Sequence, residues 1–122
     1  MTKRLEKVNE LIKEIVSKIV LENLQFPEGV LVTITRAVVS PDIHYANIFY
    51  TVLSVPKKEA EDQRAVTHIF KEKVGSIQWE LNRSLRMRPV PKITFVLDKD
   101  EERREKIESL LAGSEKNNTA KE

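Results

Sequence analysis

The chain has 122 residues, of which 40% are hydrophobic and 33% are charged, and its formal net charge is +2. This length suits one domain with a single core, and the absence of cysteine excludes a disulfide framework and a thiolate metal site. The charged N-terminal segment lacks the apolar stretch of a secretory signal, and no segment reaches the roughly 20 apolar residues that span a bilayer, so we predict a cytoplasmic protein.

An amphipathic helix is predicted near the start of the chain. Apolar residues recur at spacings of three and four from Leu5 to Ile19, which places them on one face of a helix. The helix should end near Leu24, because Phe26 precedes Pro27 and a residue before proline is driven away from helical dihedrals.

Two β-strands follow this helix. Residues 30–39 and 45–53 are rich in β-branched and aromatic side chains, with an alternation that is typical of half-buried strands. Between them, Ser40-Pro41-Asp42 is a turn signal, because proline presets a turn dihedral and aspartate can bond its own backbone. The two strands should therefore form an antiparallel hairpin.

The second half of the chain predicts two helices, a strand and a short final helix. A helical pattern over 59–73 is interrupted at Gly75, because glycine weakens a helix by roughly 1 kcal/mol relative to alanine and marks a bend or a close backbone approach. A further helix has its last apolar residue at Leu85. Residues 92–97 predict a third strand, and 98–111 a charged helix whose acids lie at its start, where the helix dipole favours them.

These elements give the order α-β-β-α-α-β with a short C-terminal helix. The helices can cover only one face of a small three-stranded sheet, which makes a two-layer α+β sandwich. The sheet should be mixed, because the last strand follows a helical crossover and can lie parallel to a neighbour. We therefore predict one domain over residues 1–111 and a disordered tail of small and polar residues over 112–122.

Positive charge is concentrated in one segment of the chain. Residues 64–92 contain seven basic and two acidic side chains, a net charge of +5, although the whole chain carries only +2. Such a stripe is typical of nucleic-acid binding, and a solvated helix face is the alternative interpretation. The candidate RNA-binding residues are Lys71, Lys73, Gly75, Trp79, Arg83, Arg86, Arg88 and Lys92.

Trp79 has two interpretations. It lies about 160–200° from the apolar stripe of its helix, where it could stack on an unpaired base while Arg83 and Arg86 hold phosphates. Alternatively, the first helix or the C-terminal extension covers the indole ring, and Arg83 rests on that ring as a cation–π pair.

The sequence does not predict an enzyme. Ser40, Asp42 and His44 supply the residue types of a hydrolase triad, but a triad usually converges from distant segments and these residues are neighbours in a predicted turn. No glycine-rich nucleotide motif is present, and neither a metal site nor a cofactor is predicted.

Four short motifs point together to a known family. They are LVTIT at 31–35, VSPD at 39–42, LRMR at 85–88 and VPKITF at 90–95. In this order they resemble the bacterial ribosome-binding factor A family over residues 4–111, and the resemblance implies a type II KH-like fold. One departure is that the family's Ala-x-Gly kink reads Lys73-Val74-Gly75 in this chain, with an outward-pointing lysine in place of the alanine.

The resemblance also implies a function. Members of the family bind the immature 30S ribosomal subunit and its 16S rRNA, assist late maturation including processing of the rRNA 5′ end, and do not cleave RNA themselves. A GTPase assists their release. We expect the same of this chain, acting as a monomer. A generic KH-type binder of single-stranded RNA and a protein-interaction module are the alternatives.

Overall fold

The computed structural model describes residues 3–54 and 59–99. These residues form helix α1 (Lys3–Asn23), strands β1 (Val30–Val39) and β2 (Tyr45–Ser54), helix α2 (Glu59–Ser84) and strand β3 (Lys92–Leu97). The predicted helix over 98–111 lies outside the described residues apart from its first two positions, and the predicted tail over 112–122 lies wholly outside them. Neither described helix is apolar enough over a sufficient length to cross a membrane.

The sheet is mixed, as the element order predicted. Its strands are ordered β1-β2-β3. β1 pairs antiparallel with β2, with Ile34 opposite Tyr50, and β3 runs parallel to β2, with Phe95 opposite Ile48. α1 packs over β1, α2 packs over β2 and β3, and the two helices contact each other. This arrangement confirms the two-layer α+β class.

A single apolar core joins the helices to the sheet. Ile12 and Val16 of α1, Ile48 of β2, and Ile77 and Leu81 of α2 are all less than 2% exposed. The helical members recur every fourth residue, because residues at that spacing share one face of a helix. Complete burial of each such side chain stabilises the fold by roughly 1.5–3 kcal/mol.

The predicted interruption at Gly75 is wrong, because α2 is one helix of 26 residues. A Cβ placed on Gly75 would meet no atom within 4 Å, so the glycine does not serve a close backbone approach either. Phe70, Ile77 and Leu81 are buried on both sides of it along the helix. Each of them stabilises the packed helix by more than the roughly 1 kcal/mol that glycine costs, so tertiary packing maintains α2 through this position.

A β-bulge in β1 helps to connect the two edges of the sheet. The register shifts between Ile34 and Arg36, so Thr35 is the extra residue and Arg36 lies opposite Phe49. Thr35 Oγ1 donates to Asp98 Oδ2 at 2.6 Å, and Arg36 Nε lies 3.4 Å from the same oxygen. The Asp98 side chain is only 3% exposed. This buried carboxylate therefore ties the end of β3 to β1 across β2, whereas the sequence suggested only a helix-start role for it.

Candidate nucleic-acid interface

An open groove runs between α2 and β3, at one edge of the sheet. It forms because β3 is an edge strand among residues 3–54 and 59–99, where no further strand continues the sheet beneath the outer flank of α2. The groove has a volume of about 650 Å³. Phe70 and Phe95 line it as a stacked pair with ring centroids 4.2 Å apart, and the ring of Tyr50 lies 4.7 Å from that of Phe70. These three rings form the aromatic floor of the groove, but Phe70 and Tyr50 are each only 2% exposed, so the half-buried Phe95 is the ring of the floor that presents surface to a ligand.

The rim of the groove is basic. Lys71 on α2 and Lys92 on β3 both line it, and both are exposed. Gly75 lies one helical turn after Lys71 and has no side chain, so the backbone of α2 is accessible at this point of the groove. Cations beside the half-buried Phe95 ring suit a ligand with flat apolar parts and anionic parts, which is the chemistry of single-stranded nucleic acid.

Gln78 and Asn82 complete the helix side of the groove. Ile93 N–H donates to Gln78 Oε1 at 2.9 Å, and Gln78 Nε2 donates to the Pro91 carbonyl at 3.0 Å and to Asn82 Oδ1 at 3.1 Å. These bonds fasten α2 to the start of β3. Sequence reasoning missed both amides, and their only signal was a spacing of four residues beside the apolar stripe of α2.

The predicted RNA-binding residues do not all lie on one surface. Lys71, Gly75 and Lys92 line the groove. Lys73 lies on the opposite side of α2 from Lys71, because two helical positions differ by about 200° around the helix axis. Basic residues that are close together in the sequence therefore lie on different sides of α2.

Trp79 lies on the outer surface of α2. Its side chain is 58% exposed, so the first helix does not cover the ring, whereas the predicted C-terminal extension lies outside the described residues apart from its first two positions and its part in this interpretation stays a prediction. The predicted pairing with Arg83 is present, because Arg83 Cζ lies 4.7 Å from the ring centroid. Glu80 lies 3.6 Å from the same guanidinium group. The exposed indole therefore stays a candidate for stacking on a base.

Arg86 and Arg88 follow the end of α2, and both are exposed. Arg88 Nη1 donates to the carbonyl of Leu85 at 3.0 Å and to that of Met87 at 2.8 Å. The Leu85 carbonyl lies at the end of α2, where a helix leaves carbonyl groups unpaired, and the Met87 carbonyl lies in the segment that follows. Arg88 therefore has a structural role that the sequence did not indicate, in addition to its predicted role in RNA binding.

Ser40, Asp42 and His44 form a turn rather than a catalytic arrangement. Ser40 Oγ donates to Asp42 Oδ1 at 2.6 Å, and the His44 N–H donates to the same oxygen at 3.2 Å. A catalytic serine would instead donate to the imidazole that removes its proton. The Ser40 hydroxyl, together with the His44 N–H, holds the pKa of the Asp42 carboxyl below its ordinary value of 3.8.

The element order, the mixed sheet and the groove beside a parallel edge strand define a small α+β domain of the type II KH-like class. The sequence model of the family described as ribosome-binding factor A matches residues 4–111. The chain therefore belongs to the ribosome-binding factor A family, which confirms the resemblance of its four motifs.

Individual proteins show the same relation. Ribosome-binding factor A of Geotalea daltonii is 38% identical over 111 residues, which are 91% of this chain and 87% of the relative. The crystal structure of ribosome-binding factor A from Thermus thermophilus has a TM-score of 0.63 at 15% identity and covers 76% of this chain and 93% of its own. A homology model of the Thermus thermophilus protein, fitted into a cryo-EM map of a 30S complex, has a TM-score of 0.59 at 16% identity and covers 75% and 91%. These two structures share the fold.

Proposed function

We propose that this protein binds a single-stranded segment of 16S rRNA in the immature 30S ribosomal subunit and assists late maturation of that subunit. The observation that carries the proposal is the groove between α2 and β3, with the half-buried ring of Phe95 on its floor and the exposed cations Lys71 and Lys92 at its rim. Unpaired bases stack on aromatic surfaces and phosphates pair with lysine or arginine, so such a groove supplies both kinds of contact.

Support for the 30S subunit as the partner comes from membership of the family and from the Thermus thermophilus relative that was fitted into a 30S complex. The family resemblance extends the proposal to processing of the 16S rRNA 5′ end, to release by a GTPase, and to a monomer that acts in the cytoplasm. It also makes residues 1–111 the ribosome-binding domain.

The proposed action is conformational and needs no catalytic residue. A protein that binds one arrangement of the rRNA better than another shifts the population towards the first by the difference in affinity. Each base that stacks on a protein ring contributes roughly 1–3 kcal/mol, and about 1.4 kcal/mol changes an equilibrium tenfold. One base stacked on Phe95 in the groove is therefore sufficient for a useful shift.

Sedimentation of the tagged protein with a bacterial lysate through sucrose gradients tests the proposal. We expect co-migration with free 30S particles at low salt and none with 70S ribosomes. Binding should be lost at high salt, because phosphate contacts release counterions whose return competes with the protein. Protein that stays at the top of the gradient at both salt concentrations contradicts the proposal.

Two lysines of α2 provide a matched test of the groove. Lys71→Ala removes a cation from the rim, whereas Lys73→Ala removes the same charge from the other side of the same helix. We expect the first change to lower the slope of log affinity against log salt by about 0.7 and the second to leave it unchanged. A slope in Lys71→Ala that equals that of the unmodified protein would show that the groove is not the contact surface, and a lowered slope in Lys73→Ala as well would add the opposite side of α2 to the contact.

Trp79 offers a second contact outside the groove. Because its ring is 58% exposed, Trp79→Ala should leave the fold intact and weaken binding to 30S particles. A folded variant with unchanged affinity would exclude stacking of a base on this ring.

Generic binding of single-stranded RNA is the second candidate function, because the groove alone requires only an unpaired strand. Competition separates the two candidates. If short single-stranded oligonucleotides bind as tightly as 30S particles and displace the protein from them, the generic function is favoured. Retention on 30S particles in the presence of excess oligonucleotide favours the assembly function.

A further inference from the structure

The side-chain amide of Gln78 has one orientation that satisfies its neighbours. The Ile93 N–H needs an acceptor and donates to Gln78 Oε1 at 2.9 Å, and the Pro91 carbonyl needs a donor and accepts from Nε2 at 3.0 Å. Turning the amide over would place donor against donor and acceptor against acceptor at these two contacts. The backbone of β3 and of the residue before it therefore decides which side of the Gln78 amide carries the nitrogen.

The orientation of the Gln78 amide in turn fixes that of the Asn82 amide, one helical turn further along α2. The second hydrogen of Gln78 Nε2 is donated to Asn82 Oδ1 at 3.1 Å. The carbonyl of the Asn82 amide therefore faces Gln78, and the Nδ2 group, with two hydrogens, faces away from it. Asn82 is exposed and lines the groove, so the groove presents a hydrogen-bond donor at this point.

We propose that Asn82 makes the groove selective for bases with a carbonyl group at the position it contacts, and in particular for uracil over cytosine. This inference rests on the proposed binding of single-stranded rRNA. The two pyrimidines have nearly the same shape, but carbon 4 carries an oxygen acceptor in uracil and an amino donor in cytosine. The Asn82 donor pairs with the oxygen but cannot pair with the amino group, so cytosine makes one hydrogen bond fewer with the protein.

In this proposal, different residues of the groove determine affinity and selectivity. Lys71 and Lys92 contribute affinity that is the same for every nucleotide, because phosphate contacts carry no sequence information. Asn82 contacts the base, and Gln78 is a positioning residue whose two amide hydrogens are already used within the protein.

Fluorescence titrations of the full chain with labelled oligouridine and oligocytidine of equal length measure this selectivity. We expect oligouridine to bind about tenfold more tightly. Asn82→Asp keeps an acceptor for Gln78 Nε2 but presents a second acceptor to the groove, so the preference should move to cytosine. Asn82→Ala has neither group, and its affinity ratio should approach one.

The ratio of the two affinities is the readout, because misfolding or added charge changes both affinities together. Asn47→Asp is a matched control, since it adds the same charge at an exposed position of β2 outside the groove and should leave the ratio unchanged. Equal affinities in the unmodified protein, or the same ratio in Asn82→Asp, would overturn the inference while RNA binding in the groove stands. Co-migration with 30S particles without affinity for either oligonucleotide would overturn the inference and leave the ribosomal proposal intact. Absence of binding both to the oligonucleotides and to 30S particles would overturn the inference and the proposed function together.

Discussion

Replacement of Gly75 by alanine should stabilise this protein, although glycine in a helical pattern suggested a break. α2 continues through this position, and the added Cβ would meet no atom within 4 Å. Alanine is favoured over glycine inside a helix by roughly 0.5–1 kcal/mol, because glycine loses more backbone entropy on folding. Since there is no steric penalty to subtract, the free energy of unfolding should rise by up to about 1 kcal/mol and the Tm by about 2–6 °C.

Urea unfolding followed by circular dichroism measures this change, and the slope of the free energy against urea should stay the same. Ser76→Ala is the control at the next exposed position. Serine differs less from alanine in helix propensity than glycine does, and the change also removes a hydroxyl that donates to the Lys73 carbonyl at 3.0 Å. The gain in stability should therefore be smaller than for Gly75→Ala. A Gly75→Ala variant that lost about 1 kcal/mol or more would refute the reasoning, because residue 75 would then need a backbone or a contact that alanine cannot have.

The same variant should bind 30S particles less tightly. Gly75 lines the groove, so the new methyl group would occupy space beside the exposed backbone of α2. A gain in stability with a loss of affinity is the pattern expected of a residue kept for function. A stabilised variant with unchanged binding would show that the ligand does not approach α2 at this residue.

Three further predictions concern residues outside the aromatic floor. Arg86→Glu should lower the salt slope of RNA binding without changing the Tm. Arg88→Glu should lower the slope as well and reduce the free energy of unfolding by about 1 kcal/mol, because Arg88 bonds the Leu85 carbonyl at the end of α2 and the Met87 carbonyl after it. Equal Tm values for the two variants would exclude this structural role of Arg88. Asp98→Ala should destabilise the fold by about 2 kcal/mol in urea unfolding, since it removes the buried carboxylate that joins β3 to β1, and no change would contradict that role. Ser40→Ala should raise the pKa of Asp42 towards 3.8 in an NMR titration. Because folding lowers that pKa, the ionised carboxylate stabilises the fold above about pH 3.8 and loses this contribution as the pH falls through the lower folded-state value; a pKa of Asp42 that Ser40→Ala leaves unchanged would contradict the stated cause.

The elements of the fold could be predicted because their signals are local. The apolar spacing in α1 and the alternation in β1 and β2 follow from 3.6 residues per helical turn and two residues per strand repeat. The break at Gly75 was predicted wrongly because local propensity, worth roughly 1 kcal/mol, was weighed without the burial of Phe70 and Ile77 on either side of it.

For the candidate site, too, some features could be predicted from the sequence and others could not. The residue types of a nucleic-acid surface, cations and a tryptophan, are visible in the chain. Their arrangement is not, because Lys71 and Lys73 are two residues apart in sequence and on opposite sides of α2 in space. The buried role of Asp98 also depends on a bulge in a strand about sixty residues away, which no local pattern indicates.

Apolar periodicity, charge distribution and family motifs can be read from the chain alone, because each is a property of neighbouring residues. The groove cannot be read in this way. Its aromatic floor brings together Phe70 of α2 and Phe95 of β3, and its donor at Asn82 is oriented through Gln78 by the backbone at the start of β3. Both features exist only where a helix packs against an edge strand from another part of the sequence, so packing decides what the groove can bind.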